Sequence, residues 1–398
     1  MQGPTELNQP ADLNSEAKTQ KTYRCDLWRG GFEGVLSSGA QTFCLFIAIR
    51  YFNAGENTKA LIAAAPFMGM FLSMVLLHYA SLTNWKKSTW GALPSLLTGV
   101  CLVLAAWTES LTQFACMVIA GYICRSALLP FVTDIYGDNY PPDKRATYFS
   151  KPLLLSVGVA ALSGFVGSWF LESDIKNYHW IFRFLGFCAI AKAFAIYSMP
   201  SKTVENTPHT HPFGNMKYAW LDKSFGYVLL TWFIMGFANL WTLPLRVDYI
   251  TAPEWGIEGS AIFVAMIITV IPETLRMLLI PFWASLFDRM NFVVLRMILN
   301  LFFGLGVLLF FVTSNPWVIG LGAALIGAAF AGGSIAWNLW VTKYAPPGKT
   351  GAYMSVHVSL TGIRGTIGPI LGYWTVNQIG AQNIGILSCA MMFFATLM

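Results

Sequence analysis

The chain has 398 residues, of which 56% are hydrophobic and only 11% charged, with a mean hydropathy of +0.56. Soluble domains hold roughly 25% charged residues because their outer faces must carry water, so this composition excludes a soluble enzyme and makes lipid the solvent for most of the surface. The formal charge of +6 does not mark a nucleic-acid binder, because the basic residues are spread over many short loops.

Residues 1–28 read as a polar cytoplasmic tail, with no apolar stretch of the kind a cleavable signal needs. An N-terminal six-span bundle is expected over 29–199, with spans at 29–53, 57–80, 89–107, 111–136, 151–172 and 179–199. Each run meets the requirement of about 20 mainly apolar residues. The polar stretch 200–224 reads as a cytoplasmic linker, and a second bundle is expected over 225–398, with spans at 225–247, 259–286, 292–313, 316–342, 351–375 and 383–398. The expected fold class is an all-α polytopic membrane protein with twelve transmembrane helices in two pseudo-symmetric six-helix bundles. With a cytoplasmic N-terminus, fifteen Lys and Arg residues fall on the inner side, five on the outer side and five within spans. That asymmetry supports the count and orientation for a multi-pass plasma (inner) membrane protein.

The two halves repeat one another. Pro141–Ser150 and Pro346–Ser355 share the pattern PPxKxxxYxS at an offset of 205 residues, and Ser81-Leu82-Thr83-Asn84 aligns with Ser285-Leu286-Phe287-Asp288 at 204. Both matches fall on equivalent loops, so a six-helix unit is duplicated in parallel about an axis along the membrane normal.

On these features the chain, from about residue 29 to 398, resembles the major facilitator superfamily. Ala284-Ser285-Leu286-Phe287-Asp288-Arg289 is similar to the family's G-x-L-x-D-R loop motif, which makes Asp288 and Arg289 a gating-loop pair. The first-half copy, Ala80 to Lys87, keeps the basic end but has Asn84 in the acidic place. Arg125 resembles the family's fourth-helix arginine, for which the resemblance implies a structural role. The glycine-rich run expected in helix 5 is instead found in helix 11, as Gly362 to Gly372. The resemblance implies rocking of two bundles about a central cavity lined by helices 1, 2, 4, 5, 7, 8, 10 and 11.

Charge within a span costs at least about 2.5–3.5 kcal/mol, so it points to a cavity or a partner. Glu273 and Arg276 lie three apart on one face of helix 8, Arg364 sits midway along helix 11, and Glu33 and Arg125 belong to helices 1 and 4. One reading has Arg276 and Arg364 attract an anionic or hydrogen-bonding substrate while Glu273 or Glu33 takes up a proton. The other makes Glu273 a fixed ion-pair partner of Arg276 or Arg364, and Glu33 an interfacial partner of Arg29. Asn239, Asn338 and Trp337 are further substrate candidates, since an amide within a span needs a partner and the indoles Trp232, Trp241, Trp337 and Trp340 could stack on a planar solute. Lys192 is expected to reach the headgroups, His357 to carry a proton or to pack, and Arg246 with Asp248 to form an outer gate or a solvated rim.

The seven cysteines are scattered without metal-ligand spacing, and no P-loop, HExxH or GxSxG motif occurs. No metal, cofactor or enzymatic activity is therefore expected. The expected function is secondary transport of a small organic solute by alternating access, by a monomer in the lipid bilayer that is either proton-coupled through a span carboxylate or a uniporter. A non-transporting receptor or assembly factor of the same architecture is the alternative.

Overall fold

The computed structural model describes residues 9–141, 144–204, 214–346 and 350–398. Long helices dominate: α1 Glu16–Arg50, α2 Glu56–Ala80, α3 Lys87–Ala105, α4 Leu111–Asn139, α5 Tyr148–Ser173, α6 Ile175–Tyr197, α7 Lys223–Thr251, α8 Ala261–Phe287, α9 Phe292–Phe311, α10 Pro316–Trp337, α11 Thr350–Ile379 and α12 Ala381–Leu397. They match the twelve expected spans in order. Among the described residues, α1 to α10 are long and apolar enough to cross a membrane on length and composition alone, and α12 is a shorter apolar helix. α11 is more polar, because it carries His357, Arg364 and a run of Gly, Ser and Thr.

Four helices of the second half start on side-chain caps. Asp222, Ser260, Asn291 and Asn315 accept from the backbone N–H groups of Phe225, Phe263, Val293 and Trp317 at 2.8–3.3 Å. Such caps satisfy donors that a helix start would otherwise leave bare. One boundary differs from expectation. Residues 16–28, expected in the polar tail, continue α1 as helix because their polar side chains find buried partners: Thr19 Oγ1 donates to Asn139 O at 2.6 Å, and Tyr136 Oη donates to Asp26 Oδ1 at 2.5 Å.

Helices α1 to α6 pack mainly on one another, as do α7 to α12. The two bundles meet along α2 against α11 and along α5 against α8. The repeat maps α2 onto α8 and α5 onto α11, so one interface becomes the other when the halves are exchanged. In the repeat loops, Pro142, Asp143 and residues 347–349 lie outside the described residues. The linker is pinned where it leaves α6, since Lys87 N donates to Lys202 O and Val204 N donates to Trp85 O.

Two helices are interrupted by π-turns, at Gly39–Phe43 in α1 and Met266–Val270 in α8. They face each other across the bundle boundary, where Thr42 Oγ1 and Thr269 Oγ1 lie 2.5 Å apart. A π-turn widens a helix locally and is frequent at functional sites.

Candidate functional site

A cavity of about 310 Å³ lies between the bundles beside these π-turns. Both halves line it: Gln41, Phe67 and Arg125 from the first, and Arg246, Glu273 and Arg276 from the second. Glu273 is buried and is held from both sides. Gln41 Nε2 donates to its Oε1 at 3.1 Å across the boundary, and Arg276 Nη1 donates to both carboxylate oxygens at 3.3–3.4 Å from one turn along α8. One carboxylate therefore senses both the opposite bundle and its own helix.

Arg246 is 4% exposed and lies on α7. Its Nη2 donates to Asn239 Oδ1 at 2.7 Å and to Thr242 Oγ1 at 3.2 Å, while its Nε has no partner. Among the described residues no carboxylate pairs with it. Arg125 reaches the cavity from α4 with its Nη2 2.5 Å from Glu33 Oε1, and Lys192 Nζ lies 2.5 Å from Glu33 Oε2.

Beyond the cavity, at the end away from the chain termini, the bundles are joined by polar contacts. Lys59 Nζ on α2 sits 2.6 Å from Asp248 Oδ1 on α7, both buried, and Trp255 Nε1 donates to Asp248 Oδ2 at 3.1 Å. Arg50 Nη2 donates to Gly259 O at 3.2 Å, Trp374 Nε1 to Asn57 Oδ1 at 3.3 Å, and Asn377 Nδ2 to Glu56 Oε1. These contacts tie the two bundles together at that end.

The whole architecture is shared with solved membrane transporters. The nucleoside transporter NupG superposes with a TM-score of 0.74 at 14% identity, covering 96% of this chain and 98% of that one. A bacterial homologue of the human lysosomal transporter Spinster, inward-facing and occupied, gives 0.69 at 11% identity over 96% and 95%. The xylose transporter XylE from E. coli, partially occluded and inward-open, gives 0.68 at 14% identity over 96% of each. No curated protein sequence matches the chain. Residues 252–398 match the family model described as Major Facilitator Superfamily. The fold of the chain is that of these solved transporters, and its second half is similar in sequence to the major facilitator superfamily.

The sequence candidates fall into separate places in this fold. Glu273, Arg276 and Arg125 come together on the cavity. Glu33 stands behind Arg125, and its partners are Arg125 and Lys192, whereas Arg29 pairs with Asp26 at 2.5 Å. Lys192 does not reach the headgroups: it is 2% exposed, because the Glu33 carboxylate inside the bundle binds it more strongly than the interface would. Arg364 is not among the cavity-lining residues. Its Nη1 donates to Trp232 O and its Nη2 to Thr361 Oγ1 at 3.1 Å, which fixes it between α7 and α11.

The indole candidates also turn inward. Trp232 and Trp340 stack at 5.9 Å between ring centroids, His357 packs against Trp232, Trp337 and Trp340 at 5.0–5.4 Å, and the Arg296 guanidinium lies 3.3 Å over the Trp232 ring. These rings build the core of the second bundle rather than a platform on the cavity. Asn239 is buried and serves Arg246. The side chains of Asn338 and Asp288 lie outside the described residues, and Arg289 is exposed at the end of α8.

Gln41, Arg246 and the Lys59–Asp248 pair were not singled out together by the sequence. The available signal for Arg246 was its spacing from Asn239: seven residues is two helical turns, which puts both on one face of α7.

Proposed function

We propose that this chain is a major facilitator transporter that carries a small organic solute across the membrane by alternating access, with the cavity between the bundles as the binding site and Glu273 as the proton-coupling group. The observation that carries the reading is the position of Glu273, bonded at once to Gln41 of the first bundle and Arg276 of the second. Adding a proton to this carboxylate removes the charge that Arg276 is paired with and weakens the bond from Gln41. Protonation thereby loosens the cross-bundle contact beside the π-turns and frees a guanidinium on the cavity wall, which couples proton occupancy to substrate binding and rocking. The buried Lys59–Asp248 pair acts as the gate on the closed side. The protein works as a monomer in the plasma (inner) membrane with its N-terminus in the cytoplasm, the orientation the loop charges favour.

The test is uptake in proteoliposomes over a solute panel, with and without an imposed pH gradient. Wild-type flux is expected to rise with the gradient. Glu273→Gln should lose that response at unchanged folded yield, and a variant that still answers the gradient as wild type does would overturn the coupling role. Absence of flux for every solute at every pH would overturn transport itself.

A further inference from the structure

We infer that the solute bound in the central cavity is a small organic anion, a carboxylate or phosphate compound, and that Arg246 is its anchor; this rests on the reading of the cavity as the binding site. Among the described residues, three guanidinium groups line the cavity, those of Arg125, Arg246 and Arg276, against one carboxylate, that of Glu273. The Glu273 charge is taken by Arg276 at 3.3 Å. Glu33 offsets one of the two cations beside it, Arg125 and Lys192, which leaves that knot with one positive charge. Arg246 contributes a second, on the other bundle, with no carboxylate paired to it among the described residues.

The surroundings of Arg246 are those of a held receptor group rather than a solvated side chain. It is 4% exposed, its Nη2 is fixed by an amide oxygen and a hydroxyl, and its Nε is buried without a partner. Neutral acceptors orient a guanidinium but do not offset its charge, and a buried cation without a counter-ion is costly. A planar fork of N–H donors matches a carboxylate or phosphate. Apart from Ser37 and Gln41 the remaining lining is apolar, with Leu45, Phe67, Ile267, Phe310 and Phe330, which suits an organic body behind the acidic group. The uncompensated charges sit on opposite bundles, so an anion between them draws both halves together, and a compound with two acidic groups meets both.

The experiment uses the full-length protein in detergent and measures the shift in unfolding temperature with defined probes. Glutarate and glycerol 3-phosphate are compared with the uncharged glutaramide and glycerol, and butyrate serves as the single-charge probe. Binding to the folded state raises the unfolding temperature by mass action. At least one of glutarate, glycerol 3-phosphate and butyrate is expected to raise it, and the uncharged probes to leave it unchanged. Arg246→Gln should abolish the shift. Arg246→Lys, which keeps the charge and protects against a folding defect, should weaken apparent affinity about tenfold by losing the planar fork. Uncharged probes that shift the protein as much as the anions, no shift with any anion, or an undiminished shift in Arg246→Gln would each overturn the inference. Because binding is read without flux, wild-type binding of an anion that is never transported would sink the transport reading and leave the anion site standing.

Discussion

Glu33 in the first bundle sits 2.5 Å from each of two cations, whereas Arg246, Arg296 and Arg364 in the second are met, among the described residues, by amide, hydroxyl, carbonyl and indole groups and by no carboxylate. The two halves share a sequence repeat, yet these two clusters of charge are held by different means. Moving a cation out of water costs several kcal/mol in either half. A short ion pair offsets that cost internally and needs nothing further, which fits a structural knot. Neutral partners offset only part of it; a guanidinium over a desolvated indole gains about 2 kcal/mol. Where such an arginine borders a cavity, as Arg246 does, an anion from outside supplies the rest. Arg296 and Arg364 do not border it, and their Nε atoms are buried without partners.

The contrast is broken most forcefully at Glu33. Glu33→Gln leaves the buried Lys192 and the half-buried Arg125 as neighbouring cations with no ion-pair partner among the described residues. Removing one member of a fully buried pair costs about 3–5 kcal/mol; Glu33 is only half-buried, so a loss toward or below the lower end of that range, and a clear fall in unfolding temperature, is expected. The double variant Glu33→Gln/Lys192→Met should recover much of it, since one cation and its partner then leave together. Equal stability of the single variant and wild type would refute the knot as a structural device.

The next effect concerns the pair that joins the halves, Lys59 and Asp248. Lys59→Ala leaves Asp248 with only the Trp255 indole, and the closed end should open more often. In a background with the native cysteines replaced, Val247→Cys on the cavity wall reports this through its labelling rate by a water-soluble thiol reagent. A rise of about tenfold is expected, equivalent to roughly 1.4 kcal/mol in the opening equilibrium. An unchanged rate would show that the other contacts at that end suffice.

The helices themselves were readable from the sequence, because apolar runs and loop charges answer to lipid directly. Glu273 and Arg276 were readable as a pair for the same reason: three residues apart in a helix means one face. What stayed hidden needed tertiary structure. The Glu33–Lys192 contact joins residues 159 apart, and no local pattern encodes it. Arg246 read as part of an outer gate or a solvated rim, since it stands five residues from the end of α7; burial of that end by the other bundle is what makes it part of the cavity. The π-turns in α1 and α8 likewise leave the hydropathy profile untouched.

A smaller effect probes how tightly the second bundle holds its unpaired arginines. A Cβ at Gly236 would overlap the Arg364 guanidinium, which already donates to Trp232 O. Gly236→Ala must push Arg364 or α7 aside, at about 1–3 kcal/mol for overpacking. A lowered unfolding temperature with anion binding retained is expected, because Arg364 is not on the cavity. Loss of binding at full stability would place Arg364 in the site after all.

The smallest expected effect separates orienting Arg246 from charging it. Asn239→Ala removes the 2.7 Å acceptor of Nη2 but leaves Thr242 Oγ1 and the positive charge. A hydrogen bond to a charged group is worth about 1.5–3 kcal/mol, and part of that returns if the freed guanidinium turns toward the cavity. Anion affinity should therefore fall by less than in Arg246→Gln, and the uncharged probes should remain without effect. If Asn239→Ala abolishes anion binding as fully as Arg246→Gln at equal stability, the amide itself touches the ligand, and the division into a charged anchor and a neutral positioning residue on α7 fails.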